Sequence, residues 1–434
     1  MPKIVAIFTL LFLLSGVVVP RGHSEEKESK DKKSWSLKPT GSITNYFIYD
    51  SHPFYTSPKG VWDEIAVTGG AIFEYKESVR AEAVLMGVKT AGNDPYNSAA
   101  AGSAPSFDID RAFIQVKPFQ KIPLTFSLGR QYIRIGTQFI VGDGILEGFG
   151  GATQGVYMGP RLGFDSLKIE WAPAPWKFTA LISFVDPSWD PGLARGGTFS
   201  GMDVEYDALE RFGGKYGGNI FYRSDTTGGA NQMGVFAGRG EQHFKKVPGD
   251  LYLGGEFVFE YGDCNNPVYC TNPGAQTMNE HAWHVELGYK FTQLKTAPFL
   301  EAGYLHHSND YDPVFAGFNS WGKWYLGSDI WLANFNTNQK AVHVEAGFSP
   351  LETLTLRLLY FHTRLVSGPG GALLNEIDLV ADWTPLEWLW AALLVGFEKP
   401  GSAMGGSGLV NPFTLTPVGT SSSANAVVMT RVSF

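Results

Sequence analysis

At 434 residues the chain is long enough for two or three soluble domains or for one large all-β barrel. Hydrophobic residues make up 44%, aromatic residues 14%, and the formal net charge is -8, which gives no electrostatic reason to bind nucleic acid. Beyond the N-terminal run no stretch approaches the roughly 18 uninterrupted apolar residues of a membrane helix, so the rest of the chain holds no helical span.

The N-terminus comes first in chain order. Lys3 precedes the apolar run IVAIFTLLFLLSGVVV, which is followed by Pro20 and small residues up to Ser24. This pattern predicts a signal peptide over 1–24, cleaved after Ser24. The charged stretch EEKESKDKKSW cannot bury a core and predicts a flexible periplasmic leader over 25–37. No Cys stands at the cleavage point, so no lipid anchor is expected.

From residue 38 to Phe434 the dominant hydrophobic period is two, and one domain is expected there. The first predicted strands are 41–49, 63–76, 78–89, 108–118 and 122–132. An irregular strand over 155–171 follows; splitting it at PRLGFD would leave an odd total and put two long connections on the short-turn side. Strands 175–185, 200–208, 217–224 and 231–239 come next.

The alternation is clearest in the second half. In 250–261, Leu253, Phe257, Phe259 and Tyr261 share one face, with Tyr252, Glu256, Val258 and Glu260 on the other. Strand 281–292 sets Trp283, Val285, Leu287 and Tyr289 against His284, Glu286 and Lys290, and 297–307 follows. Strand 339–348 sets Val342, Val344 and Phe348 against His343 and Glu345; after 352–364, strand 374–384 sets Ile377, Leu379 and Trp383 against Glu376, Asp378 and Asp382. The last two strands are 387–398 and 423–434.

Alternation also suits a soluble sandwich, but three features favour a membrane. Many runs are about 9 to 12 residues, the crossing length of a tilted strand. Trp171, Trp176, Trp283, Tyr304, Trp383 and Trp388 recur near strand ends, as in an interfacial girdle. Short connections such as APAPW, TQLKTAP, SPLET and TPLEW alternate with long ones at 186–199, 262–280, 308–338, 365–373 and 399–422. The expected fold is therefore an all-β, antiparallel, up-and-down transmembrane barrel of about 18 strands, with short periplasmic turns and long external loops. Phe434 would close the last strand on the first at the periplasmic rim. A terminal aromatic there resembles the signal read by the bacterial barrel-assembly machinery, which with outer-membrane lipid is an expected partner.

With the apolar face on lipid, the opposite face lines the pore. Its basic residues by parity are Arg80, Arg111, Lys117, Lys177, Arg223, Lys290, Arg357 and Arg431. The acidic ones are Glu82, Asp203, Glu205, Glu256, Glu260, Glu286, Glu301, Glu345, Glu376, Asp378, Asp382 and Glu398. The bases weight the early strands and the seam, the acids the C-terminal half, so a basic wall facing an acidic wall is expected. Arg130 shares parity with Leu124, Phe126 and Leu128, and is expected at the rim or after a bulge at Gly129.

The segment IDRAFIQVKPFQKIPLTFSLGRQYIRIGTQFIVGD, with RAFIQVK, LGRQ and a downstream Gly, resembles the alginate-export outer-membrane porin family. So do FLEAGYLHHSNDYDPVF, NEIDLVADWTP and the closing VVMTRVSF; together these stretch from Arg111 to Phe434. The resemblance implies one 18-stranded barrel with a charged lumen, which in alginate exporters is Arg-rich. The carboxylates on this face depart from that pattern, and they would repel a polyuronate.

Cys264 and Cys270, five residues apart in the polar loop GDCNNPVYCTNPG, suit a small loop disulfide in an exported protein. His306, His307, Asp310 and Asp312 read as a solvated loop rather than a metal site. The long segments 308–338 and 399–422 have the length and composition to fold inward. No G-x-S-x-G elbow, H-E-x-x-H, P-loop or dinucleotide fingerprint is present, and no cofactor is expected. The expected function is a porin passing hydrophilic solutes, possible substrates including an oligosaccharide or polyanionic sugar. An exopolysaccharide export pore and a barrel enzyme are the alternatives; monomer and trimer stay open.

Overall fold

The computed structural model describes residues 34–52, 59–93, 105–117, 122–142, 164–185, 197–225, 232–264, 276–311, 338–368, 371–404 and 419–434. Its compact unit is Leu37–Phe434. The proposed signal peptide, most of the leader and the loop carrying Cys270 lie outside the described residues, as does the side chain of Cys264.

Eighteen antiparallel strands form one sheet closed on itself. In chain order they are β1 (Trp35–Asp50), β2 (Gly60–Tyr75), β3 (Val79–Asn93), β4 (Ser106–Val116), β5 (Leu124–Gln131), β6 (Phe164–Trp171), β7 (Trp176–Val185), β8 (Gly197–Ala208) and β9 (Gly214–Asp225). The second half comprises β10 (Gln232–His243), β11 (Asp250–Cys264), β12 (Gln276–Lys290), β13 (Phe299–His307), β14 (Gln339–Leu351), β15 (Leu354–Leu365), β16 (Ala372–Leu386), β17 (Leu389–Pro400) and β18 (Ser423–Ser433). Each predicted strand matches one of these, the irregular 155–171 through Phe164–Trp171 alone, because 155–163 lie outside the described residues. The main differences are at the rims: β1 starts at Trp35 and β10 runs on to His243, because a hydrogen-bonded ladder continues through polar residues that carry no hydrophobic period.

Consecutive strands pair, and β1 closes on β18 with Ser42 opposite Ser433 and Asp50 opposite Asn425. Beyond β18, Phe434 and Gly41 exchange two backbone hydrogen bonds of 3.0 Å. With no open edge, every strand finds hydrogen-bonding neighbours on both sides, the condition a strand must meet in lipid.

The two faces of the wall differ in chemistry. On β11, Leu253, Phe257, Phe259 and Tyr261 are exposed while Glu256, Val258 and Glu260 are buried; the side turned to the barrel axis is the one that carries charge. Trp176 packs on Tyr206 at 4.6 Å and Trp171 on Phe178 at 5.1 Å, next to the short β6–β7 turn. Trp383 and Trp388 stand exposed at the same end.

The interior is not uniformly polar. Phe164, Phe199, Phe221, Met233 and Val235 point inward from β6, β8, β9 and β10 and belong to one apolar cluster, with Phe199 stacked on Phe221 at 4.8 Å. That cluster also takes in Ile133, Ile135, Phe139, Ile140 and Val141, which follow β5 and are not part of the wall.

Candidate functional site

The chain leaves the wall after Gln131 and folds into the barrel. Gly136 and Gln138 adopt positive φ, a conformation Gly takes without cost, and Ile135 donates its N–H to the Val141 carbonyl at 3.1 Å to close the fold. The tip reaches strands across the barrel from β5. Thr137 Oγ1 donates to Glu256 Oε2 on β11 at 2.6 Å. Phe139 lies 5.0 Å from the His284 ring on β12 and 5.5 Å from that of His307 on β13, stacked on the latter. Gly136 packs on Arg239 so closely that a Cβ there would stand 2.6 Å from its Cδ. Among the described residues Tyr132–Gly142 is a segment that narrows the lumen, one the sequence did not point to; the sequence pointed to 308–338 and 399–422. Of those two, the described parts include Tyr311, buried near Phe139, and Ala403 and Met404, buried with Leu365, Leu373 and Leu374; the remainder lies outside the described residues.

Arg239 is a buried cation held by two carboxylates. It donates to both Asp203 oxygens at 2.7 and 3.0 Å and to Glu205 Oε1 at 2.8 Å, with its side chain 8% exposed. Lys215 adds a 3.8 Å contact to Glu205. The sequence reading missed Arg239 because the inward face of β10 begins Met233, Val235, Ala237, and hydrophobicity inverts the assignment of that strand.

Further clusters join predicted residues to unpredicted ones. Arg80 and Arg111 both bind Glu82, at 2.9 and 3.2 Å, and Arg111 also meets Asp110 at 3.3 Å. A register shift opposite Val84 and Leu85 brings neighbours Asp110 and Arg111 into this contact, and Tyr132 donates to Asp110. Lys168 and Lys177 share Glu170, at 2.9 and 3.4 Å. Arg223, on β9, is buried.

From β11 through the seam to β2 the inward face is mainly acidic. Glu256, Glu260, Glu301, Glu345, Glu376, Asp378 and Glu398 are buried, as are Asp50 and Glu64, and Glu286 on β12 is half-buried. Several are held by neutral donors: Trp62 to Glu64 at 2.9 Å, Asn425 to Glu398 at 2.7 Å, Ser423 to Asp50 at 2.9 Å and Trp390 to Asp382 at 2.8 Å. Arg431 lies over the Trp390 ring at 4.9 Å. A recess of about 620 Å³ opens at the short-turn end, where Tyr252, Lys290, Glu301, Glu345, Arg357 and Asp382 meet. The early strands do carry most of the bases, but at Arg80, Arg111, Lys168, Lys177 and Arg239 each faces a carboxylate, so that wall is compensated rather than basic.

Two placements correct the sequence reading. β4 ends at Val116, so Lys117 stands exposed beyond it, its N–H on the Ser78 carbonyl at 2.7 Å. His306 and His307 end β13 and point to opposite faces: His306 stacks on His281 at 5.2 Å, while His307 is buried against Phe139, so these two are wall residues and not part of a solvated loop. Asp312 lies outside the described residues. Arg130 follows Gly129 without a register shift and bonds Asp165 at 3.1 and 3.2 Å; Asp165 is on the exposed face.

No family model matches the chain, and no curated protein matches it. Solved structures do match. OccAB1 of Acinetobacter baumannii aligns with a TM-score of 0.65 at 9% identity, over 92% of this chain and 96% of that one. OpdK of Pseudomonas aeruginosa, solved with vanillate, gives 0.61 at 10% identity over 92% and 98%. OccK2 (OpdF) of the same organism, in complex with glucuronate, gives 0.61 at 9% over 92% and 98%. At these identities the likeness is one of fold, a closed 18-stranded barrel. The alginate-export resemblance has no family match behind it; motifs such as RAFIQVK and LGRQ are short alternating segments that any such barrel strand can carry.

Proposed function

We propose that the chain is a bacterial outer-membrane channel through which small hydrophilic solutes diffuse, and not an enzyme. The observation that carries this reading is a closed barrel, apolar outside and charged inside, whose lumen is crossed by Tyr132–Gly142. An exposed band of Leu, Ile, Phe and Val is stable against lipid and costly against water. An inward segment tied to the far wall leaves a constricted path, the usual arrangement where a pore selects small solutes.

Vanillate and glucuronate in two proteins of like fold favour a small solute over a polysaccharide strand. The acidic stretch from β11 to β2 favours cations and opposes a polyuronate, which ranks an alginate-like export pore second. The predicted signal peptide, outer-membrane lipid and the barrel-assembly machinery fit the same reading.

The test is single-channel conductance of the refolded barrel in a planar bilayer under a salt gradient. A steady conductance with a cation-directed reversal potential supports the proposal. A silent bilayer in every salt would overturn it, and marked anion selectivity would return the weight to the export pore.

A further inference from the structure

We propose that Glu301, His343 and Glu345 form a binding site for a divalent transition-metal ion of the zinc class. The site stands on β13 and β14, where Glu301 is directly opposite Glu345 and His343 is opposite Gly303. All three side chains are buried: the residues are 4%, 0% and 3% exposed. One donor atom from each lies within 4.8 Å of the others.

Two carboxylates placed side by side in a buried wall repel each other and lose hydration. A dication answers both costs at once. Here the imidazole sits between them, with Nδ1 at 3.9 Å from Glu301 Oε1 and Nε2 at 3.7 Å from Glu345 Oε2. These separations exceed hydrogen-bond length. One ion takes only one of the two nitrogens, so one of these separations is a donor–donor edge, close to the roughly 3.3–3.6 Å between neighbouring donors around a tetrahedral zinc with bonds of about 2.0–2.2 Å. The other carboxylate, with one donor atom from each residue within 4.8 Å of the others, has to swing to that same nitrogen. Rotation of the two flexible glutamate side chains can close the difference.

The surroundings hold the donors in place, as outer partners do in metal sites. The other oxygen of each carboxylate is engaged: Tyr252 donates to Glu301 Oε2, and Arg357 Nη1 donates to Glu345 Oε1 at 3.5 Å. The oxygens turned toward the imidazole are the opposite ones. His343 stacks on Phe361 at 4.8 Å, which fixes the ring plane. Gly303, across from the imidazole, brings no side chain over it.

One nitrogen and two oxygen donors suit zinc or a neighbouring first-row dication; calcium requires six or more oxygens. Glu301 and Glu345 border the 620 Å³ recess, which leaves the fourth coordination position to water or a solute ligand. The site is separate from His281 and His306, a stacked pair on the exposed side that would attract metal adventitiously.

The experiment uses the full barrel in detergent, stripped with EDTA and titrated with zinc chloride by calorimetry, with zinc-edge X-ray absorption on the loaded protein. The expected result is one zinc per chain in a nitrogen and oxygen shell with one imidazole. His343→Gln weakens affinity on the order of 100-fold, and Tyr252→Phe, which removes only an outer partner, about tenfold. His306→Gln leaves affinity unchanged. Should His343→Gln fail to fold, Glu345→Gln reads the same site. Absence of zinc binding by the unmodified barrel overturns the proposal. So does affinity retained in His343→Gln or Glu345→Gln, or lost in His306→Gln.

Discussion

Thr137 and Glu256 are joined by a 2.6 Å hydrogen bond that ties the inward segment after β5 to the wall at β11. A bond to a carboxylate is worth about 1.5–3 kcal/mol. Thr137→Val keeps the shape and removes the donor. The expected outcome is a barrel that still folds but shows higher, noisier single-channel conductance as the segment loosens. Conductance indistinguishable from the parent would mean that the apolar contacts of Phe139 alone hold the segment.

Arg239 is held by Asp203 and Glu205 on β8, so its removal leaves two acids without their principal counter-charge. Arg239→Met should destabilise the barrel by about 3–5 kcal/mol, measured as a shift in urea unfolding in lipid vesicles. Arg239→Lys should recover only part of this, because an ammonium cannot match the two-oxygen contact with Asp203.

A channel that selects ions at the recess of the short-turn end would respond in opposite directions to loss of an acid and loss of a base there. Asp382→Asn should move the reversal potential toward weaker cation preference, and Arg357→Gln should move it the other way. Equal shifts of the same sign would place the selective charge elsewhere in the lumen.

The outward face has its own test. Phe257 is 50% exposed in the middle of β11, and Phe257→Lys should cost about 2–4 kcal/mol if this face meets the centre of a bilayer. Equilibrium unfolding into vesicles measures it; a neutral result would place Phe257 at an interface or against protein.

Gly41 packs directly on the terminal aromatic ring. A Cβ at Gly41 would meet Phe434 Cε2 at 2.7 Å and the Thr68 carbonyl at 2.8 Å. Gly41→Val should therefore reduce the fraction reaching the heat-modifiable, compact form on gels, with little effect on conductance of the barrels that do close.

The wall of the barrel was legible in the sequence because a strand with lipid on one side and polar surroundings on the other must alternate, and that period survives in residues such as Phe257, Glu256 and Val285. Carboxylates on strands with apolar outer faces, among them Glu345 and Asp378, could be placed by parity alone. Legibility failed where the inner face is itself apolar. Met233 and Val235 hid Arg239, and Phe199 and Phe221 gave no hint that part of the interior is packed. It failed again where the chain leaves the wall: IRIGTQFIVG has the apolar content of a strand, and only its contacts with β11, β12 and β13 show that it is buried in the lumen.

The β1–β18 seam has a kinetic meaning as well. Ser51 and Ser423 bond across it although 372 positions separate them in the chain. Contacts between such distant residues slow folding, since the whole intervening loop must be closed before they form. Until β18 arrives, β1 presents a bare edge, and a growing sheet with an open edge is a template for pairing with other chains. Ring closure therefore converts a ribbon with edges open to other chains into a molecule with no edge to offer.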